Sequence, residues 1–289
     1  MDYPAPVCSS AGQAHQRQGG LYDAMTGKIG AKRFAVAVSV RETYKTGFGG
    51  TTQSAERAIY YYAEKTPEAG ISVQALNGNS VPSGEVTPIT EEEFLQKFKP
   101  EPLMYYNLVK PRMEAMQAEL ERGEKHLEAG RLERAEESFQ KALAYDAENL
   151  RAIFGLGNAY LSGGKLDDAR DIFDKIMGIE LAFGPENKFL FNEFGIRMRK
   201  AGLLALAKSY YEKALAVSEN DENLLFNLGR VLYELEEYDG AVEAAERCLA
   251  LNSGFLIAAK LAKAARRQAA TAAIGDATPG AASPPAQDV

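Results

Sequence analysis

The stretch Thr46-Gly47-Phe48-Gly49-Gly50-Thr51-Thr52 has residue types that could do chemistry. Three glycines within four residues let backbone N–H groups turn toward a phosphate, provided the stretch joins a strand to the N-terminus of a helix. Its spacing departs from the known phosphate loops. A P-loop wants Lys and then Ser or Thr after its last glycine, whereas Thr51 and Thr52 come directly after Gly50. Glycines at 47, 49 and 50 also fail Gly-x-Gly-x-x-Gly. A nucleotide or other phosphorylated ligand held by Gly47, Gly49, Gly50 and Thr51 is one expectation, and a solvated connection beside Lys45 is the other.

The remaining inventory is sparse. Histidine occurs only at His15 and His126, cysteine only at Cys8 and Cys248, and tryptophan is absent. No Ser-His-Asp, Cys-His or clustered-carboxylate pattern appears, so no catalytic residue, metal site or cofactor is expected. Lys and Arg number 33 against 40 Asp and Glu, a net charge of -7, which has the wrong sign for a nucleic-acid binder. With 289 residues and 46% hydrophobic content the chain can bury a substantial core in one or two domains. The first twenty residues lack a signal-peptide core, and no window reaches the ~20 apolar residues of a membrane span. A cytoplasmic protein is expected.

The elements around the glycine-rich stretch read as a small α/β or α+β module. Phe34, Val36, Val38 and Val40 alternate with Ala35, Ala37 and Ser39, the pattern of a strand over 33–41 buried on both faces. Residues 54–65 read as a helix with Ser54 at its N-cap, which points Tyr60, Tyr61 and Tyr62 around the axis and denies them a common stacking platform. A second strand is expected over 71–76, ended by the turn signal Asn77-Gly78. Thr90 with three glutamates after it caps a short helix through Phe98. The apolar connector around Tyr105 and Tyr106, with Pro111 near the start of the next helix, is expected to dock the module rigidly.

From Met116 onward the sequence repeats itself. Glycines recur at 123, 157, 195 and 229, at intervals of 34, 38 and 34 residues. In step with them run Ala135, Ala169, Ala207 and Ala241, then Phe139, Phe173, Tyr211 and Ala245, then Ala142, Ile176, Ala214 and Cys248. These columns resemble the tetratricopeptide repeat. That resemblance implies an α-solenoid of about four helix pairs, in which a glycine on the first helix of each pair lets the second approach closely. Gly130, Gly163-Gly164 and Gly202 mark the turns, and the fourth unit has Glu236-Glu237 instead. The longer interval inserts residues around 178–186, which either lengthen a helix or form a short ordered loop that could be a contact surface. The polar Glu119, Arg122 and His126 fit a unit that caps one end of the stack.

The resemblance also implies an adaptor that holds a protein or peptide partner and has no catalysis of its own. Matching positions on the first helices are Arg151, Phe154, Asn158 and Leu161, then Asn192, Ile196, Arg199 and Lys200, then Asn223, Phe226, Asn227, Arg230 and Tyr233. The family's clamp for chaperone carboxylates is disfavoured, because Phe154, Glu193, Asn223 and Asn227 replace residues it needs. Charge reversal at both Arg199 and Arg230 is expected to abolish capture without affecting melting. The alternative is a regulatory sensor whose module binds a phosphorylated ligand at 46–52. Oligomeric state is not legible in the sequence. The division expected is a flexible leader over 1–27, the module and connector over 28–110, a mainly α solenoid with a C-terminal capping helix over 111–270, and a disordered tail over 271–289.

Overall fold

A computed structural model of the chain describes residues 33–46, 53–184, 187–218 and 220–276. The leader, the glycine-rich stretch from 47 to 52 and the tail beyond 276 lie outside the described residues. Two compact units divide the chain, Met1–Ile153 and Phe154–Val289.

In the first unit, strands β1 (Phe34–Thr46) and β2 (Gln53–Thr66) pair antiparallel without a break, from Phe34 opposite Lys65 to Thr46 opposite Gln53. β3 (Gly70–Ala75), β4 (Thr87–Ile89) and β5 (Lys99–Pro100) complete a five-stranded sheet in the order β4-β3-β2-β1-β5. Every pairing is antiparallel, so the module is α+β. The helix expected over 54–65 is therefore a strand. Ala, Glu, Arg and Lys favour a helix there, but Ile59 and three consecutive tyrosines suit a pleated surface, and pairing with β1 along the whole length overrides the local preference.

Val36, Val38, Ala63, Ile71 and Val73 form one face of the sheet and pack with Phe94 of helix α1 (Glu91–Lys97). The Thr90 hydroxyl accepts from the Glu93 N–H at 3.1 Å, and Glu91, Glu92 and Glu93 complement the positive end of the helix. On the opposite face Ala37 is buried, Ser39 donates to Glu101 at 2.9 Å and Tyr62 stacks on Tyr105. The centre of β1 is thus buried on both sides, as its alternation predicts. Burial, with the Glu64 carboxylate beside it, holds the Tyr62 phenol well above its ordinary pKa.

The connector is helical throughout. One turn at Pro102–Met104 and a π-helical turn at Tyr105–Val109 run straight into α2 (Lys110–Glu128), with Pro111 in its first turn. α2 pairs with α3 (Leu132–Tyr145) as the first repeat. The junction is fixed, and a polar loop helps to fix it. Asn77 and Asn79 donate to the Tyr145 and Ala144 carbonyls, which have no partner within α3 itself. Ser83 bonds Asp146 at 2.7 Å, and Arg112 donates to the Asn79 carbonyl at 2.6 Å.

α4 (Leu150–Ser162) begins in the first unit and continues in the second, ahead of α5 (Leu166–Met177), α6 (Lys188–Lys200), α7 (Leu204–Val217), α8 (Glu222–Glu234), α9 (Tyr238–Leu251) and α10 (Leu256–Asp276). A methyl added at Gly157 would sit 2.6 Å from the Phe194 ring, and one at Gly123 would sit 2.7 Å from Phe139, so each glycine is the floor on which an aromatic ring rests. The insert is the ordered-loop alternative. It is a 3-10 turn, Glu180–Phe183, with Ala182 and Phe183 buried and Glu180 and Leu181 outward. Phe183 joins a cluster with Phe191 and Tyr210, so most of the apolar insert is core and not a contact surface. The last helix continues through Asp276, past the tail boundary expected at 271, because Thr-Ala-Ala extends an alanine-rich pattern with no breaker before Gly275. No helix of the described residues is long and apolar enough to cross a membrane.

Candidate functional site

The glycine-rich stretch loses the setting that made it a phosphate-binding candidate. Gly47, Gly49, Gly50 and Thr51 lie outside the described residues, but the next element along the chain is β2, paired residue for residue with β1. The element that follows is thus not the helix whose N-terminal N–H groups and dipole the phosphate argument required.

Within the second unit, α6 and α8 present a ladder of polar and aromatic side chains at helical spacing. Asn192, Ile196 and Arg199 fall on one stripe of α6, and Asn223, Phe226, Arg230 and Tyr233 on the matching stripe of α8. The stripes are tied together. Asn227 donates to Asn192 at 2.8 Å, and Arg199 forms an ion pair with Glu234. Arg230 lies over the Phe226 ring at 5.6 Å, Phe226 packs on Phe255, and Tyr233 meets Tyr238 edge-on.

The predicted residues fall into distinct groups. Phe154 and Leu161 of α4 are buried, Phe154 edge-on to Phe194, and they serve the core. Asn158 is also buried, and its Oδ1 has no hydrogen-bond partner. Asn227 is buried as the donor of the amide ladder. Arg151, in the first unit, is held by Glu124 at 2.7 Å and by Gln117. Asn192, Ile196, Arg230 and Tyr233 are half-buried, whereas Lys200 and Asn223 are exposed.

Arg199 needs a correction. Its side chain keeps only 10% of its exposure, it is neutralised by Glu234, and its Nε has no partner. Reversing its charge would set two carboxylates together in a packed site, so melting would not be spared as the sequence suggests.

Phe189 was missed. It stands three residues before Asn192 and seven before Ile196, on the same stripe of α6, and it is 75% exposed. The helical spacing already carried that signal. Beneath the stripes lies an aromatic core. Tyr210 touches Phe173, Phe183, Phe194 and Tyr211, and burial holds the Tyr210 and Tyr211 phenols above their ordinary pKa.

Comparison with known proteins bears on the helical repeats. The tetratricopeptide-repeat family model matches residues 126–180, and a second model of the same repeat matches 222–255. The matches place tetratricopeptide repeats at 126–180 and at 222–255, within the helical part of the chain. Among curated proteins it is similar to anaphase-promoting complex subunit 3 of Schizosaccharomyces pombe, 26% identical over 129 residues that make up 45% of this chain and 19% of that protein. It is also similar to the type IV pilus assembly protein PilF of Pseudomonas aeruginosa, 26% identical over 105 residues, 36% of this chain and 40% of that one. The matches therefore span less than half the length of either relative. Among solved structures, MamA covers 56% of this chain and 87% of its own at 21% identity, with a TM-score of 0.45.

Proposed function

We propose that the protein is a non-enzymatic interaction scaffold, and that the stripe shared by α6 and α8 holds a peptide or helix of a protein partner. The observation that carries this reading is Phe189, a large aromatic side chain left 75% exposed at the start of the α6 stripe, whose Asn192, Ile196 and Arg199 are paired or packed. An exposed aromatic at the edge of a polar ladder is the anchor type favoured at protein interfaces. The exposed Lys200 and Asn223, with the half-buried Arg230, supply polar and cationic groups around it. A partner segment with one apolar residue near an acidic one matches that chemistry. The two curated relatives, one a subunit of a complex and one an assembly protein by name, are consistent with it.

Affinity capture from the source cells, with the full chain and a Phe189→Ser/Arg230→Glu variant as baits, tests this. Loss of the retained proteins at unchanged melting temperature supports the stripe. Equal retention by both baits removes it.

A further inference from the structure

In the first unit, β1 and β2 outrun the sheet they centre. β3 pairs β2 only from Tyr61 to Thr66, and β5 pairs β1 only at Val38 and Ser39. The β1–β2 pairing nevertheless continues to Thr46 and Gln53. Residues 40–46 and 53–59 thus form a two-stranded ribbon, about 20 Å long at roughly 3.3 Å per residue, braced by Arg57–Glu42 and Arg41–Glu56 ion pairs. A bare two-stranded ribbon is marginal in water, and it keeps one row of backbone groups open along each edge.

The register says which groups are open on β2. The last bond on its β3 side runs from the Leu76 N–H to the Tyr60 carbonyl at 3.0 Å. Antiparallel strands alternate the side to which successive residues direct both backbone groups. Tyr60 therefore shares its direction with Ala58, Glu56 and Ser54, whose outward N–H and C=O have no backbone partner among the described residues. Where β3 ends, a cavity of about 410 Å³ opens against this edge, with Ala58, Ile59, Tyr60, Leu76 and Met104 in its lining.

We propose that an extended segment of a protein partner adds to β2 in line with β3. It pairs with Ala58, Glu56 and Ser54 and sets one apolar side chain in the cavity. Main-chain bonds would supply the hold and the cavity the choice of residue. A second copy paired about the middle of the open edge, at Glu56 or Arg57, fits less well. Pairing β2 with itself about Glu56 sets two glutamates directly opposite, and about Arg57 two arginines, each destabilising. Neither register brings an apolar residue opposite Ala58, since Ser54 stands there in the first and Glu56 in the second.

The test is a phage-displayed library of random nine-residue peptides selected on the full chain and, in parallel, on its Ala58→Pro variant. Proline at 58 removes an outward N–H and leaves the ladder to β1 intact. Melting temperature and circular dichroism verify that the variant folds, and Met104→Glu, which puts a carboxylate into the cavity lining without touching the strand, serves as a second variant. The expected result is enrichment of peptides with alternating apolar residues, bound roughly tenfold or more weakly by both variants, with slowed exchange of the Ala58 and Glu56 amides. Lack of enrichment, or equal binding to the variants, overturns the proposal. A concentration-dependent dimer dissolved by Ala58→Pro also overturns it and makes the second copy the occupant.

Discussion

Gly195 on α6 and Tyr211 on α7 meet so closely that a methyl group built on Gly195 would lie 2.5 Å from Cζ of the tyrosine ring and 2.6 Å from its hydroxyl oxygen. The ring is fully buried, so it has no room to retreat. Gly195→Ala should therefore destabilise the protein by about 2 kcal/mol, overpacking outweighing the ~1 kcal/mol that alanine gains in a helix. At Gly229 the nearest neighbour is the end of the flexible Leu261 side chain at 3.1 Å, so Gly229→Ala should cost markedly less. Urea unfolding of the two variants checks the order, and Tyr211→Leu in the Gly195→Ala background should recover most of the loss.

The fourth repeat makes the same turn as the others without their glycine. Gly130, Gly164 and Gly202 have φ of 68°, 71° and 79°, and Glu236 takes 64° in their place. Its bonds keep the same pattern, Glu236 to the Tyr233 carbonyl and Glu237 to the Leu232 carbonyl. A side chain in the left-handed region costs about 1–2 kcal/mol. Glu236→Gly should stabilise the fold by about 1 kcal/mol, visible as a higher melting temperature. An unchanged or lower value would mean that the glutamate makes an offsetting contact.

Asp221 caps α8, accepting from the Asn223 and Leu224 N–H groups at 2.9 and 3.0 Å, and it also pairs with Lys188. Asp221→Ala should cost about 1–2 kcal/mol through the lost cap. Asp221→Asn keeps an acceptor and gives up only the pair with the half-exposed lysine, so its cost should stay under about 1 kcal/mol. Equal losses in the two variants would assign the stabilisation to the ion pair.

Cys248 sits in the small-residue column, fully buried, with its thiol donating to the Glu222 carbonyl at 3.2 Å. Burial, reinforced by Glu222 and Asp221, pushes the thiol up to about 11 from 9.0. In a Cys8→Ser background, a thiol reagent near neutral pH should label Cys248 only as fast as the protein opens. A raised pKa in the fold favours the protonated state, so this group's contribution is complete below about pH 9 and is lost as pH climbs through about 11. Cys248→Ala should flatten the stability profile across that window.

The repeat array was readable because its physics is periodic. Each hairpin of helices must bury the same faces against the same neighbours, so Gly123, Gly157 and Gly195 and the alanine column recur at almost fixed intervals. Thr90 and its glutamates were legible for a local reason, since a cap concerns one turn of chain. β2 was not legible. Its composition tolerates a helix, and its strand conformation comes from thirteen consecutive pairings with β1, an interaction no local window contains. The helical setting expected to follow the glycine-rich stretch failed for the same reason, because it required β2 to be a helix.

By themselves, the residue types and their spacing determined that four helix hairpins exist, where they turn and which faces they bury. Only the tertiary structure decided that the insert's Phe183 belongs to the core, that Arg199 is spent on Glu234, that Phe189 is left in solvent, and that β1 and β2 project beyond their sheet. Burial and pairing are properties of the groups that come to lie beside a residue, and for these positions the neighbour is distant in sequence and obeys no repeat.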